Sequence, residues 1–158
     1  MSPTPAPCSC SANCEDKTAM TTRALKDYHV GDAIPPLQLP PISRTTLALY
    51  AGASGDHHPL HIDLDFARNA GLDDVFAHGM LSTAYVARLV TDWVGQDQLR
   101  DLKVRFTGIT HLRDAPLCTG RITGRFEANG ETRLRVEITC ANQAGEAKIV
   151  GEAVVGVP

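Results

Sequence analysis

One segment of the chain, Gly79–Val94, is apolar around nearly its whole circumference. It contains no proline, and its only charged residues are Arg88 and Asp92. A helix with so little polar surface belongs in the interior of a protein. The pattern therefore predicts a long buried helix that ends at Gly95.

After this segment the period of the pattern changes from that of a helix to that of a strand. Apolar and charged residues alternate over 102–106 and again over 134–140, which is typical of half-buried antiparallel strands. Asn129-Gly130 and Ala144-Gly145 supply turns, and a last strand is expected over 148–157. One long helix followed by antiparallel strands predicts an α+β domain in which a sheet wraps around that helix.

Shorter elements are expected before the long helix. Paired prolines exclude a helix around residues 35–41, and Ser43 is a good N-cap for the helix that follows. Asp63 or Asp65 could cap another helix, which Gly71 would end. The pattern predicts, in chain order, an extended segment over 37–39, a helix through 46–51, a loop over 54–61 and a short helix over 66–70.

Composition and charge exclude several classes of protein. The 158 residues, 43% of them apolar, suit one globular domain, and a net charge of −3 without a basic run gives no sign of a nucleic-acid partner. No apolar run reaches the roughly 20 residues that span a bilayer. Cys118 and Cys140 fall in expected strands and are interpreted as small core residues, in keeping with a cytoplasmic location.

The first 19 residues differ from the rest. Alternating prolines precede Cys8, Cys10 and Cys14. The segment has neither the basic region nor the apolar region of a secretory signal. The three cysteines lack a fourth ligand, so a solvated tail is favoured over a metal site. We expect residues 1–19 to be a disordered extension, or the product of an early start codon, and residues 20–158 to form the domain.

The candidate catalytic residues lie between the two predicted short helices and at the start of the long one. Asp56 and His61 are five positions apart, and Pro59 between them prevents one continuous helix. His78-Gly79 then opens the long helix. An acid, a base and a helix N-terminus together suit proton transfer beside a developing negative charge. Simpler roles remain open, namely a turn acid at 56, structural histidines at 61 and 78, and a packing glycine at 79.

Two motifs carry a resemblance to a known family. SGDHHPLHID over 54–63 and FAHGML over 76–81 resemble the signature of MaoC-type dehydratases. That family includes the (R)-specific enoyl-CoA hydratases and the (3R)-hydroxyacyl-ACP dehydratase subunits. Gly151–Val155 is similar to the family's last strand. The resemblance implies a single hot-dog domain, in which a curved antiparallel sheet wraps a long central helix.

The resemblance also implies an activity and the residues for it. The family adds water reversibly to trans-2-enoyl thioesters, giving (R)-3-hydroxyacyl thioesters. Asp56 and His61 would hold the water and shuttle its protons, and the Gly79 N–H would donate to the thioester oxygen. No cofactor and no metal are implied. The residues expected to contact substrate are His58, Pro59, His78, Met80 and Ser82.

The partner implied is an acyl-CoA or acyl-carrier-protein thioester. A homodimer or a larger assembly of dimers is expected, and a heterodimer with a non-catalytic subunit is an alternative. Neither nucleic acid nor a membrane span is expected.

Two departures from the family pattern bear on the site. His58 stands where hydratases of this group usually have Asn, which changes size and adds a titratable group. Ala87 stands where some relatives carry a hydroxyl on the central helix. Ser82 and Thr83 lie one turn earlier and could compensate.

Other functions fit the sequence less well than a hydratase does. A hot-dog thioesterase usually has a carboxylate on the central helix, whereas the first two turns after Gly79 have none. A non-catalytic acyl-CoA-binding subunit tends to lose the acid or the base, and this chain keeps both. His57, His58, His61 and Asp63 do not follow a known zinc spacing.

Overall fold

The computed structural model describes residues 23–158. The expected extension over 1–19, with its three cysteines, lies outside that range. Within residues 23–158 there are three α-helices, α1 (Arg44–Ser54), α2 (Leu64–Asn69) and α3 (Gly79–Val94). The five strands are β1 (Leu37–Gln38), β2 (Leu99–Phe106), β3 (Leu117–Ala128), β4 (Glu131–Ala141) and β5 (Ala147–Gly156).

The strands form one antiparallel sheet in the order β1-β3-β4-β5-β2. β3 and β4 are joined by the turn at Asn129-Gly130, where φ is 55° and 75°. Positive φ at both central residues is what a tight hairpin turn requires, and Asn-Gly tolerates it best. The sheet curves around α3 and confirms the predicted hot-dog architecture in a single domain.

The main core lies between α3 and the concave face of the sheet. Val86, Leu89 and Val90 of α3 are buried against inward-facing side chains of β3, β4 and β5. Cys118 of β3 and Cys140 of β4 lie opposite each other in the sheet. Both are buried and neither forms a disulfide, which agrees with their interpretation as core residues. Removing a large side chain from such a core typically costs about 2–5 kcal/mol.

A smaller core lies beneath α1 and α2. Leu47 and Ala51 of α1 pack with Ala67 of α2 and with Leu81 of α3. Ser43 caps α1 by accepting the Thr46 N–H, and Asp63 caps α2 by accepting the Phe66 N–H. This second cluster fixes the two short helices on either side of the loop that carries Asp56 and His61.

The prediction that α3 is buried all round is wrong for the single chain. The sheet covers one face, and Met80, Ala84, Arg88 and Asp92 form a stripe exposed on the other. An apolar helix can keep such a face when it packs on one side only, and Arg88 pairs with Asp92 there at 3.1 Å. The predictions over 102–106 and 134–140 are right in place but short, since β2 begins at Leu99 and β4 at Glu131, and the predicted last strand is displaced from β5 by one residue.

Across residues 23–158, the helices are all too short or too polar to cross a membrane.

Candidate active site

Asp56 lies in the site directly after the end of α1. Gly55 adopts φ 73° and stops the helix in the left-handed conformation that glycine tolerates. The Ser54 hydroxyl donates to the Tyr50 carbonyl at 2.7 Å and accepts the Asp56 N–H at 3.2 Å. The backbone before Asp56 is therefore fixed, while its side chain remains exposed.

A short 3-10 turn, Pro59–His61, carries the predicted base. His58 precedes it and caps it, because its Nδ1 accepts the Leu60 N–H at 3.3 Å. The Asp56 Oδ1 accepts the His58 N–H at 3.3 Å, so the acid and the turn are linked directly. His58 and Pro59, which were expected to contact substrate, are seen here as parts that shape this turn.

The orientation of His61 follows from one hydrogen bond. Its Nδ1 lies 2.8 Å from the Phe76 carbonyl oxygen, which can only accept. The proton must therefore be on Nδ1, and Nε2 carries the lone pair of the neutral ring. A histidine held in this tautomer can accept a proton at Nε2.

His78 connects the start of α3 to the loop of Asp56. It is 1% exposed, and its Nε2–H donates to the Asp56 carbonyl at 3.0 Å. Its ring lies between Tyr50 and His61, with the His61 ring 4.0 Å away at an interplanar angle of 32°. This placement orients the loop. Contact with substrate would require the loop to open.

Asp56, His61 and His78 each have a polar side-chain atom facing the others, a carboxylate oxygen or a ring nitrogen. These three atoms lie within 4.8 Å of one another. That separation leaves room for one water hydrogen-bonded to both Asp56 and His61. The same three residue types could in principle ligate a metal. Each histidine uses one ring nitrogen for a backbone carbonyl, so both rings are held in place whether or not an ion is bound.

Burial lowers the pKa of His61 below its ordinary value of 6.5. The nearby His78 and His58 act in the same direction, whereas the bond to the Phe76 carbonyl and the charge of Asp56 oppose it. The ring is therefore neutral at pH 7 and available as a base.

Gly79 is the first residue of α3. Within residues 23–158 its N–H has no hydrogen-bond partner, as expected for the first turn of a helix. A Cβ at this position would lie 3.0 Å from Cε1 of Phe106. Two reasons for a glycine therefore coexist, open space for another group to approach the free N–H and close packing against an aromatic ring.

A cavity of about 170 Å³ opens beside Gly79. Ser82 is part of its wall, and the Ser82 hydroxyl lies 3.1 Å from the hydroxyl of Thr110. Met80 is 57% exposed on the open face of α3 and does not line this cavity. The cavity is lined by Phe76, Ala77, Gly79, Ser82, Phe106, Gly108, Ile109, Thr110, Lys148 and Ile149.

Sequence reasoning missed several residues around the site. The Phe76 carbonyl is a backbone group, so no side-chain pattern announces it. Phe106 ends β2, and Thr110 lies in the segment between β2 and β3, where the sequence has no recognisable motif. Lys148 carried a signal, because a lysine within an apolar strand needs a buried partner or an exit to solvent.

Comparison with known proteins places these features in a family. Residues 29–115, more than half of the chain, match the model of the MaoC like domain. The (R)-specific enoyl-CoA hydratase of Rhodospirillum rubrum is 29% identical over 119 residues, which cover 74% of this chain and 81% of that protein. The R-hydratase PhaJ1 of Pseudomonas aeruginosa, solved unliganded, superposes with a TM-score of 0.71 at 27% identity and 84% coverage of both chains.

The chain also matches part of a much larger protein. It is 32% identical over 107 residues to the fatty acid synthase subunit beta of Saccharomyces cerevisiae. The match covers 63% of this chain but 5% of that subunit. From the family model, the shared fold and the two motifs, the chain belongs to the MaoC-like domain family.

Proposed function

We propose that the chain catalyses reversible addition of water to a trans-2-enoyl thioester, giving an (R)-3-hydroxyacyl thioester. Asp56 and His61 activate the water, and the Gly79 N–H stabilises the negative charge on the thioester oxygen. The thioester belongs to coenzyme A or to an acyl carrier protein. The functional unit is a homodimer or a larger assembly, with a heterodimer as the alternative.

The observation that carries the proposal is the tautomer of His61. Its Nδ1–H is held by the Phe76 carbonyl, which leaves Nε2 free beside the Asp56 carboxylate. A fixed lone pair next to an exposed acid suits water activation better than a structural role does.

The steps of the reaction follow from these groups. A water held between Asp56 and His61 gives a proton to Nε2, and its oxygen forms a bond to the β-carbon. The electron pair of the double bond moves toward the thioester, whose oxygen accepts the Gly79 N–H. The α-carbon then gains the proton, and the pair returns to its resting state. Dehydration runs through the same steps in reverse.

A thioesterase is less well supported. The first two turns of α3 carry no Asp or Glu, and Asp92 near its far end is exposed and paired with Arg88. A non-catalytic binding subunit would not need the defined tautomer of His61.

The test is hydration of crotonyl-CoA and trans-2-octenoyl-CoA, followed by loss of the enoyl thioester absorbance. We expect turnover by the wild type, and a fall in kcat of about 10²- to 10⁴-fold in Asp56→Asn and in His61→Ala. The Asn variant keeps the shape of Asp56, so circular dichroism should be unchanged. Normal turnover in either variant would end the assigned mechanism.

A further inference from the structure

The connector between β2 and β3, residues 107–116, contacts the start of α3. The Ala77 N–H donates to the Thr110 carbonyl at 2.9 Å, and the Thr110 hydroxyl bonds to that of Ser82. Ala77 and Ser82 lie on either side of Gly79 in the chain. The connector therefore sets the position of the free Gly79 N–H.

The same connector contacts the segment that orients His61. His111 pairs with Phe76 as an isolated antiparallel bridge. Phe76 provides the carbonyl that accepts the His61 Nδ1–H. A shift of the connector would move this carbonyl and release the ring.

Asp114 fixes the connector from inside. It is 7% exposed, its Oδ2 accepts the His111 N–H at 2.9 Å, and its Oδ1 accepts an Asn142 amide N–H at 3.2 Å. The Lys148 ammonium lies 3.9 Å from Oδ2. A buried carboxylate without such partners is strongly disfavoured.

Lys148 supplies the positive charge from β5. It is also 7% exposed, and its ammonium donates to Glu146 at 3.0 Å while its stem lines the cavity. Buried ion pairs contribute little to stability compared with apolar residues of the same volume. The pair does, however, hold the Asp114 carboxylate in one direction, toward the connector.

We propose that Asp114 and Lys148 are positioning residues, which hold the 107–116 connector so that the Phe76 carbonyl fixes the tautomer of His61. The ion pair contacts neither His61 nor the reacting atoms, and it acts through His111 and Phe76. The catalytic part of this inference rests on the proposed function, whereas the effect on the His61 ring does not.

The test compares the wild type with Lys148→Met, which keeps the stem and removes the charge, and with Lys148→Arg, which keeps the charge. Arg135→Met is the matched control, because it breaks a pair with Glu152 on the exposed outer face of the sheet. Nitrogen NMR of the histidine rings reports the tautomer and the pKa of His61. Hydration kinetics report kcat and KM separately.

In Lys148→Met we expect a mixture of His61 tautomers and a lower His61 pKa, since the Phe76 bond favours the protonated ring. Asp56, His58 and His78 also face this ring and are unchanged in every variant. We expect kcat to fall by roughly tenfold or more with KM within about twofold, because small displacements of catalytic groups are costly. Lys148→Arg and Arg135→Met should both keep the wild-type His61 spectrum and the wild-type kcat.

A wild-type His61 spectrum in Lys148→Met would overturn the proposal. So would a change in KM alone, which would make Lys148 a substrate contact in the cavity wall. If Lys148→Met does not fold, Asp114→Asn provides the same readouts with the shape of the carboxylate kept. If the wild type turns over no enoyl thioester, the proposed function fails, and the NMR result still decides whether the ion pair positions His61.

Discussion

At the scale of single residues, the site depends on which nitrogen of His61 carries the proton. The Phe76 carbonyl at 2.8 Å assigns it to Nδ1, and burial of the ring lowers its pKa. The bond selects the tautomer and burial favours the neutral ring, so Nε2 keeps its lone pair at neutral pH. The proposed chemistry therefore depends on a backbone oxygen of Phe76 and not on its side chain.

The lowered pKa of His61 predicts the pH dependence of hydration. The proposed base can accept a proton only when neutral, so activity should be lost as the pH falls through the His61 pKa, and the midpoint should lie below 6.5. The measurement is kcat/KM between about pH 4.5 and 8, with an NMR titration of His61 in the free protein as control. An acid limb with its midpoint at or above 6.5 would contradict the environment assigned to this ring.

At the scale of elements, the start of α3 combines a helix terminus with close packing. The Gly79 N–H is free among the described residues, and the ring of Phe106 lies against the same glycine. Phe106 ends β2 and is 52% exposed, so its ring has room to move. The two reasons for a glycine can be separated by experiment.

A double-mutant cycle of Gly79→Ala and Phe106→Ala makes this separation. We expect Gly79→Ala to lower kcat by about tenfold or more, because a methyl group crowds the approach of the thioester oxygen to the N–H. In the double variant the steric conflict is gone, so the melting temperature should recover toward that of Phe106→Ala while kcat stays low. Recovery of kcat in the double variant would show that Gly79 serves packing alone.

At the scale of the whole molecule, β2 leaves one edge of the sheet open. It lies at the end of the strand order, and within residues 23–158 it pairs on one side only, with β5. The Thr107 N–H donates to Lys148 O, toward β5. Strand N–H groups alternate in direction, so that of Val104 points away from β5. An open edge of eight residues is a ready site for pairing with a second copy.

Val104→Pro tests the expected homodimer at this edge. Proline removes the outward N–H and keeps the bonds to β5, so we expect a shift from dimer to monomer. The measurement is light scattering coupled to size exclusion, with Val104→Thr as the control that keeps the N–H. A Val104→Pro protein that folds and stays dimeric would place the dimer contact elsewhere.

The fold was largely predictable from the sequence because its elements rest on local patterns. Ser43 caps α1 as predicted, and Asp63 is the one of the two candidates, Asp63 and Asp65, that caps α2. Gly95 ends α3, and Asn129-Gly130 forms the hairpin turn. The bounds of β2 were harder, since Leu99–Asp101 do not alternate cleanly and form an irregular pairing with β5. The buried extent of α3 was overestimated, because periodicity cannot show which faces a neighbour covers.

By itself, the sequence determined the family, the long central helix, the antiparallel sheet and the nearness of Asp56 to His61, since short-range spacing and capping dictate these. Only the tertiary structure decided the tautomer of His61, the bond of His78 to the Asp56 loop and the buried pair of Asp114 with Lys148. Each of these depends on groups far apart in the chain, and two of them use backbone carbonyls. Backbone atoms are the same in every residue, so only folding can select which of them meets a given side chain.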